Sequence, residues 1–508
     1  MNLLGIDTGT SGTRAVLIDG AGRVLSVAAA EHPPIASLYP GWAEQHPGDW
    51  WRAACRAIRD CLAAGGASAA QIAAIGLTGQ MHGLVLLGDE GNVLRPAIIW
   101  CDQRTSDQCR AITQSLGAER LIELTANPAL TAFTLPKMLW VREHEPAVWA
   151  RTRSILLPKD YVRFRLTAGR ATDVTDASGT LLLDVANRRW SGAMAALLQL
   201  SPAILPALHE SHQVTGCISD QAAAETGLRA GTPVVAGAGD QAAGAVAMGI
   251  VRPGAVSAAI GTSGVVFAAT GKPFLDPRGR IHTFCHASPG LWHVMGVTQA
   301  AGYSLRWFRD QFGAKNPSSS AGPAAAGADP YDQLSAEAAQ APPGSDGLLW
   351  APYLMGERTP HLDPLARGAL VGLTASHTRA HVIRAIMEGV AFSLRDALAI
   401  FAELGLLVDS IRLGGGGARS RLWRQIQADA YGMPVEIVAA GEGPAYGAAL
   451  LAGVGSGAWP SIQSACDAAV RVVERIEPDA RSAALMDRQY AAYKKIYPAL
   501  RGIASQGS

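Results

Sequence analysis

The amino-acid sequence predicts an α/β protein of two domains, in which mixed sheets are flanked by helices. Three observations lead to this expectation: the chain has 508 residues, it opens on a series of strands, and a similar series begins near its middle. Single hydrophobic cores stop growing beyond about 250–300 residues, so a chain of this length divides into domains. With 49% hydrophobic and 17% charged residues, the composition suits large buried cores.

Apolar residues in the first forty positions predict a β-meander. Strands are expected at 3–7, 13–19 and 24–28, with a turn at 19–22. Apolar residues then recur four apart over 47–63, which predicts a helix.

Two further strands each lead into a polar loop. An apolar run at 72–77 predicts a buried strand that delivers the loop 78–83 to a binding cleft. The short strand 97–99 precedes the segment 100–104, Trp-Cys-Asp-Gln-Arg, in the same way.

A second series of strands begins at Thr232 and repeats the strand, turn, strand order of the N-terminus. The tetrapeptide Gly-Thr-Ser-Gly at 9–12 recurs at 261–264, each time between two apolar segments. Four small residues can match by chance, but the shared strand context favours an internal duplication. We therefore predict domains at 1–244 and 245–455, followed by C-terminal helices at 456–508 that pack on the second domain.

Charge, apolar runs and cysteine usage disfavour several classes of protein. The chain carries 43 basic and 42 acidic residues without a block of one sign, so no nucleic-acid partner is expected. No secretory signal opens the chain, and polar residues and Pro253 interrupt its most apolar stretch, 234–269, so no membrane helix is expected. Seven scattered cysteines without metal-site spacing predict reduced thiols in a cytoplasm. The Pro-, Ala-, Gly- and Ser-rich stretch 314–330 is predicted to be a loop or linker.

Three glycine-containing loops are candidates for binding phosphate or nucleotide. They cover 7–14, 261–264 and 413–419, and each follows a predicted strand. Backbone N–H groups in such loops can approach phosphate, and the third loop precedes a helix whose N-terminus adds positive potential. The alternatives are ordinary hairpin turns for the first two loops and a flexible loop for the third. Neither a GxxxxGK[ST] motif nor a complete GxGxxG motif is present, which disfavours P-loop kinases and Rossmann dehydrogenases.

Asp240 lies between small residues in the segment 237–244, directly after an apolar strand. Packing explains this residue poorly, because a buried carboxylate without partners is strongly destabilising. Two interpretations remain open. Asp240 is either the N-cap of a helix or a carboxylate that accepts a hydroxyl proton during catalysis.

Taken in order, these motifs resemble those of the FGGY family of carbohydrate kinases over nearly the whole chain. The resemblance is carried by the segments 7–11, 237–240, 260–264, 414–418 and 443–449. It implies two actin-like (ribonuclease H-like) ATPase domains with a central cleft and an ATP-dependent transfer of phosphate to a sugar or polyol. It also implies Mg²⁺ with ATP as co-substrate, and it suggests a homodimer.

The loop at 79–83, Gly-Gln-Met-His-Gly, is similar to that of the xylulokinase branch of this family, whereas glycerol kinases carry an Arg-Glu pair there. The segments 157–161, 176–180 and 352–360 are also similar to that branch. The resemblance therefore implies phosphorylation of D-xylulose to D-xylulose 5-phosphate in xylose catabolism. Gln241 stands where xylulokinases commonly have Asn, and the segment 100–104 differs from the common Trp-Asn-Asp-Gly-Arg form, so both departures bear on the choice of sugar.

The resemblance also implies a role for each candidate residue. Asp240 is the general base that accepts the proton of the terminal hydroxyl of the sugar, and Asp7 holds Mg²⁺ through water. The residues implied to bind the sugar are Met81, His82, Trp100, Asp102, Asp240 and Gln241. Those implied to bind ATP or its phosphates are Thr10, Ser11, Thr13, Arg14, Gly261, Thr262, Gly415, Gly416 and Ala418.

Alternatives remain within and outside the enzyme class. A kinase for ribulose, a sugar alcohol or glycerol fits the same family. A non-catalytic actin-like ATP-binding protein, either a filament subunit or a sugar sensor, leaves Asp240 and the loop 79–83 unexplained. A lone histidine is more often structural, but the loop context of His82 favours a contact with sugar.

Overall fold

The computed structural model describes residues 1–313, 329–439 and 443–504. Its strands, in chain order, are β1 Asn2–Thr8, β2 Gly12–Asp19, β3 Val24–Glu31, β4 Glu44–Gln45, β5 Ile72–Gly79, β6 Val85–Leu87, β7 Ala97–Ile98, β8 Ser154–Leu156, β9 Ala171–Asp173, β10 Leu183–Asp184, β11 Arg189–Trp190, β12 Ala207–His209, β13 Val214–Cys217, β14 Pro233–Val235, β15 Ala238–Gly239, β16 Ala255–Ile260, β17 Gly264–Thr270, β18 His282–Cys285, β19 Trp292–Thr298, β20 Leu349–Ala351, β21 Ala369–Val371, β22 Ser410–Gly414, β23 Val435–Val438 and β24 Val472–Ile476.

The helices, in chain order, are α1 Pro47–Ala64, α2 Ser106–Leu116, α3 Ala118–Thr125, α4 Thr134–His144, α5 Pro146–Arg151, α6 Pro158–Thr167, α7 Val174–Ser178, α8 Gly192–Leu197, α9 Asp220–Thr226, α10 Asp240–Ala247, α11 Ala301–Phe312, α12 Pro330–Ala338, α13 Arg379–Glu403, α14 Arg421–Tyr431, α15 Pro444–Gly455, α16 Ile462–Ala469, α17 Ala480–Tyr493 and α18 Ile496–Ala504. The predicted linker 314–330 lies outside the described residues, except for Asp329 and for Pro330, which begins α12.

The described residues form two compact units, and both contain α-helices and β-strands. The first unit comprises Met1–Pro253, Ala269–Val294 and Ala439–Arg471, and the second comprises the remaining segments. The α/β class with mixed sheets is therefore confirmed. The domain boundaries proposed from sequence, after 244 and after 455, stay predictions.

The first large sheet is built on the meander that the sequence predicts. Its strand order is β13-β14-β5-β1-β2-β3, with β1 antiparallel to β2 and parallel to β5. The predicted helix 47–63 is confirmed as α1, which has proline at its first turn and buries Trp50 and Ile58 against the sheet.

The second large sheet repeats this local pattern. Its order is β18-β19-β17-β16-β22-β23-β24, with β16 antiparallel to β17 and parallel to β22. In both sheets, therefore, a hairpin with the turn sequence Gly-Thr-Ser lies beside a parallel strand. The shared arrangement supports an internal duplication.

Helix α15 belongs to the first unit although it begins about 150 residues after Val294, where the preceding segment of that unit ends. It packs backbone to backbone, because a Cβ atom on Gly76 of β5 would lie 1.9 Å from the carbonyl oxygen of Ala448. A Cβ atom on Gly447 would likewise lie 1.9 Å from the carbonyl oxygen of Ala243, in α10. Packing by α15 therefore helps to fix α10, the helix that begins at Asp240.

Among the described residues, no helix is long and apolar enough to cross a membrane. All seven cysteines are free thiols, as the sequence predicts.

Candidate active site

Strand β5 ends in the loop that the sequence analysis assigns to the sugar. Gln80 is buried, and its side-chain amide donates to the carbonyl oxygen of Gly9 at 3.3 Å and to Oε1 of Gln45 at 2.9 Å. Met81 is buried as well. The bond to Gly9 holds the loop against the first glycine loop of the same unit, and the bond to Gln45 joins it to β4.

His82 has a backbone φ of 69°, which is rare for a residue other than glycine. Its carbonyl oxygen accepts from Oγ1 of Thr134 at 3.1 Å and from Nζ of the buried Lys137 at 3.0 Å. The ring Nδ1 lies 2.9 Å from the carbonyl oxygen of Gly179. Because a carbonyl only accepts, Nδ1 carries the proton, and in the neutral ring Nε2 is then an acceptor.

Asp240 begins helix α10 instead of capping it. The cap position is Gly239, which has no side-chain capping bond, so the N-cap interpretation of Asp240 is not supported. The short strand β15 pairs in parallel with β5, with Ala238 opposite Thr78 and Gly239 opposite Gly79. The structure therefore brings the segment before Asp240 beside the strand that delivers the sugar loop.

Met81 lies directly against this segment. A Cβ atom on Gly239 would lie 2.8 Å from Cγ and 2.9 Å from Sδ of Met81, so only glycine fits there without displacing Met81. The structure thus places Met81 next to the residue that precedes Asp240.

Asp7 and Asp240 interact electrostatically. Burial raises the pKa of Asp240 to about 6, although hydrogen bonds from the backbone and side chain of Gln241 lower it. Burial and the charge of Asp240 raise the pKa of Asp7 to about 7, while Arg14 lowers it. Oδ1 of Asp7 is buried and has no hydrogen-bond partner among the described residues. A buried carboxylate oxygen without a partner next to a second carboxylate suits a hydrated cation.

The residues of the first glycine loop that were predicted to bind ATP differ in their exposure to solvent. Ser11 and Arg14 are exposed. Oγ1 of Thr10 accepts from Nε1 of Trp100 at 2.9 Å, which joins a predicted phosphate ligand to a predicted sugar ligand. Thr13 is fully buried, and its hydroxyl lies 2.9 Å from Nε2 of His32.

Asp102 is engaged in structural bonds. It is fully buried, and its Oδ2 accepts from the backbone N–H of Ala43 at 2.6 Å and from Nη2 of Arg104 at 2.7 Å. The guanidinium of Arg104 also lies 3.6 Å from the ring centroid of Trp42. Asp102 therefore anchors the segment 100–104, and its role as a sugar ligand stays a prediction.

The second unit contains a cavity of about 400 Å³ beside the other two glycine loops. Gly261, Thr262 and Gly416 line it, whereas Gly415 and Ala418 are not among its lining residues. Gly415 has a φ of 72°, and a Cβ atom there would lie 2.4 Å from the carbonyl oxygen of Ile260. The four-glycine run is therefore a fixed turn packed on β16, not a flexible loop.

Several residues of this cavity were missed by sequence reasoning. They include Tyr303 and Arg306 on α11 and Tyr331 and Ser335 on α12. No motif marks these residues. Trp423 on α14 also lines the cavity, and it stands four positions after Arg419 in the stretch that carries the family resemblance. The strand-to-helix junction at the end of β19 was the available signal, because ligands often bind at the carboxyl ends of strands.

A buried ionic cluster was also missed, although three of its five members, Lys159, Asp160 and Asp176, lie in segments already recognised as similar to the xylulokinase branch. Nζ of Lys159 lies 2.6 Å from Oδ1 of Asp160, 2.8 Å from Oδ2 of Asp173 and 3.4 Å from Oδ2 of Asp176. Arg163 is part of the same cluster, with Nε 3.9 Å from Oδ1 of Asp160. All five side chains are fully buried.

Comparison with protein families identifies the chain. The N-terminal domain model of the FGGY family of carbohydrate kinases matches residues 2–247, and the C-terminal domain model matches residues 256–456. The chain belongs to this family. The FGGY chain is thus a sugar kinase, and the resemblance noted in its sequence is confirmed.

Individual FGGY proteins are similar over nearly the full length. The xylulose kinase of Bacillus subtilis is 40% identical over 97% of this chain and 96% of its own. The solved structure of xylulose kinase from Rhodospirillum rubrum is 33% identical, has a TM-score of 0.90 and covers 99% of this chain and 100% of its own. That of gluconate kinase from Lactobacillus acidophilus is 25% identical, with a TM-score of 0.91 over 100% and 99% of the chains. The fold is therefore that of FGGY kinases, whose actin-like architecture the sequence analysis expected.

Proposed function

We propose that this FGGY kinase transfers the γ-phosphoryl group of ATP to the terminal hydroxyl of D-xylulose and releases D-xylulose 5-phosphate and ADP. The observation that carries the proposal is the packing of Met81 against Gly239, the residue that precedes Asp240. In this proposal Met81 supplies an apolar wall, the ring of His82 an acceptor and Asp240 a carboxylate to the same sugar. The names of the xylulose kinases similar to this chain support the same acceptor.

Each of the three side chains has a distinct task in this proposal. Met81 packs against the carbon skeleton of the sugar, to which its flexible thioether can adapt. Nε2 of His82 accepts a hydrogen bond from a sugar hydroxyl, since the bond from Nδ1 to Gly179 fixes the tautomer. The carboxylate of Asp240 takes the proton of the attacking hydroxyl as that oxygen forms its bond to the γ-phosphorus. Gln241 hydrogen-bonds to Asp240 and is proposed to contact the sugar beside it.

The cavity of the second unit is proposed to hold ATP. Its volume of about 400 Å³ suits a nucleotide, its aromatic residues can contact a base, and the turn at Gly415–Gly416 permits close approach of the backbone. Backbone N–H groups and hydroxyls at Gly261 and Thr262 would hold phosphate oxygens.

Mg²⁺ is proposed to accompany ATP, and Asp7 would hold it through water. The buried, unpartnered Oδ1 of Asp7 fits this role. The ion would supply positive charge to the phosphate oxygens.

The remaining predicted ligands stay part of the proposal. The proposed contacts to ATP are Thr10, Ser11, Thr13, Arg14 and Ala418, and the proposed contacts to sugar are Trp100 and Asp102.

The cytoplasm is the proposed location, supported by seven free thiols, which persist in a reducing compartment. A homodimer is also proposed on the basis of the family.

The test of the proposed function is a panel of acceptors measured for ADP release with MgATP. The panel contains D-xylulose, D-ribulose, a sugar alcohol, glycerol and gluconate. We expect D-xylulose to give the highest kcat/KM, because Met81 and His82 form the acceptor wall. A value about tenfold higher for another acceptor would overturn the choice of sugar. ADP release that does not depend on any acceptor would favour a sensor or filament protein.

A second prediction concerns Gly179, whose carbonyl oxygen accepts from His82. A Cβ atom here would lie 2.4 Å from Nδ1 of His82, so Gly179→Ala displaces the ring while the backbone φ of −80° suits alanine. We expect KM for D-xylulose to rise about 5- to 150-fold, equivalent to a hydrogen bond of about 1–3 kcal/mol, while KM for ATP stays unchanged.

The matched control is Gly192→Ala. Gly192 begins α8, and no atom lies within 4 Å of its Cβ position, so this variant should keep both KM values. Equal rises in both KM values for Gly179→Ala would show that His82 does not contact the sugar.

A further inference from the structure

The buried ionic cluster is connected by hydrogen bonds to the segment that carries Asp240. The connection starts at Asp173, which Lys159 contacts through Oδ2. Oδ1 of Asp173 accepts from the backbone N–H of Thr175 at 2.8 Å and from the hydroxyl of Thr175 at 2.5 Å. The same hydroxyl accepts from the backbone N–H of Gly239 at 2.9 Å.

The direction of each bond in this connection is fixed. The carboxylate of Asp173 lies against the ammonium of Lys159 and accepts, so the hydroxyl proton of Thr175 points to it. The N–H of Gly239 can only donate, so it points to the oxygen of Thr175. The hydroxyl of Thr175 therefore donates to Asp173 and accepts from Gly239 at the same time. Both Thr175 and Gly239 are buried.

The segment that receives this bond needs external support. Strand β15 has two residues, and its one paired neighbour is β5. Gly239 is also held by Thr175, and the next residue is Asp240. Without the hydroxyl, the N–H of Gly239 is left buried without a partner, which favours a shift of the backbone.

We infer that Thr175 is a positioning residue that holds Asp240 in the place where it receives the proton of the attacking hydroxyl. This inference rests on the proposed role of Asp240 as the base. Thr175 itself touches no reacting atom, and it acts through Gly239. The cluster around Lys159 fixes Asp173, Asp173 orients the hydroxyl of Thr175, and the hydroxyl sets Gly239.

The experiment removes the hydroxyl from the full-length enzyme and measures kcat and both KM values with MgATP and D-xylulose. Thr175→Val should lower kcat about 10- to 100-fold, because small displacements of a catalytic group have effects of this size, and should leave KM for ATP unchanged. Thr175→Ser, which keeps the hydroxyl, should stay within about threefold of the wild type. Thr175→Ala, which removes both the hydroxyl and the γ-methyl group, serves if the valine variant does not fold.

The matched control is Thr226→Val. Thr226 is also buried, and its hydroxyl also donates to one group, the carbonyl oxygen of Ala222 at 2.6 Å, and accepts from another, the N–H of Leu228 at 3.3 Å. It lies at the end of α9 and has no bond to Gly239. If Thr226→Val loses about as much stability as Thr175→Val but keeps its kcat, the kinetic effect is specific to Thr175.

Combination with Asp240→Asn separates this inference from the proposed function. If Thr175 acts through Asp240, Thr175→Val should lower the residual kcat of Asp240→Asn by no more than about twofold. A full kcat in Thr175→Val together with a large loss in Asp240→Asn would overturn the positioning role alone. Full kcat in Asp240→Asn would overturn the role of Asp240 as the base. The positioning role of Thr175 would then be overturned as well. Equal multiplicative losses in the double variant would also overturn the inference, since the two residues would then act independently.

Discussion

Asp240→Asn should lower kcat for D-xylulose by about 10² to 10⁴, because general-base catalysis typically contributes that factor and the amide cannot take a proton from the attacking hydroxyl. Asn keeps the size of the side chain. KM for ATP should change little, since the proposed adenosine contacts lie on other residues. Steady-state kinetics with saturating MgATP measure the loss.

Asp220→Asn is the matched control for this experiment. Asp220 occupies the first position of α9, as Asp240 does in α10, but it is exposed. The control should therefore keep kcat, even though both substitutions remove a negative charge from the first turn of a helix. An Asp240→Asn enzyme with most of its activity would refute the base assignment.

The pH dependence of kcat provides a second measurement on the same variant. Burial raises the pKa of Asp240 from its ordinary value of 3.8 to about 6. A base must be deprotonated to act, so kcat of the wild type should fall as the pH drops through about 6 and level off above it. The residual activity of Asp240→Asn should lack this acid limb.

Lys159→Met should lower the free energy of unfolding by about 3–5 kcal/mol, as removal of one partner from a buried ion pair generally does. Lys159 is the cation that Asp160, Asp173 and Asp176 contact at 2.6, 2.8 and 3.4 Å. Methionine fills most of the volume of lysine, so the loss comes from uncompensated carboxylates and not from a cavity. Urea denaturation at pH 7 measures the change.

The destabilisation should increase with pH. Burial already raises the pKa of Asp176 well above its ordinary value, and Lys159 opposes this rise. Without Lys159, the pKa of Asp176 in the folded state lies still further above its pKa in the unfolded state. At pH values between these two pKa values, the folded state binds more protons than the unfolded state. The free energy of unfolding of the variant must then fall as the pH rises, relative to the wild type.

Two companion variants test the cause. Lys137 is also fully buried, but its Nζ donates to backbone carbonyl oxygens of Ala132 and His82. The carboxylate of Asp102 interacts electrostatically with Lys137 and keeps its bonds to Ala43 and Arg104 without it, so Lys137→Met should cost less. Asp176→Asn added to Lys159→Met should recover part of the stability, because it removes one of the stranded charges. A Lys159→Met protein within about 1 kcal/mol of the wild type would contradict the account.

The sequence predicts this fold well where the information is local. The meander, helix α1 and the hairpins at Gly-Thr-Ser follow from alternation, from helical periodicity and from turn residues, all of which act over a few positions. The glycine run at 414–417 is marked equally clearly, since a backbone with positive φ at Gly415 selects glycine.

The candidate site is less accessible to such reasoning. One cavity is lined by residues of three helices that are distant in the sequence, among them Tyr303, Tyr331 and Trp423. Sequence spacing does not predict which helices pack together. The link from Asp173 through Thr175 to Gly239 spans 66 positions and depends on hydrogen-bond geometry. Asp102 shows the opposite kind of error, in which a residue predicted to bind ligand has a structural role. Its carboxylate is bound to Ala43 and Arg104.

Helix α15 has a consequence for the biogenesis of the protein. Its residues Ala445 and Leu450 are buried with Leu3, Val16 and Ala74 of the N-terminal sheet, so this core is completed by a segment made much later. At a synthesis rate of about 5–20 residues per second, the interval between residues 294 and 444 lasts roughly 8–30 s. Throughout that interval the nascent first unit exposes the apolar face that α15 will cover. The native contacts of this apolar face are therefore completed late in synthesis, and transiently exposed apolar surface of this kind favours aggregation until α15 has been made.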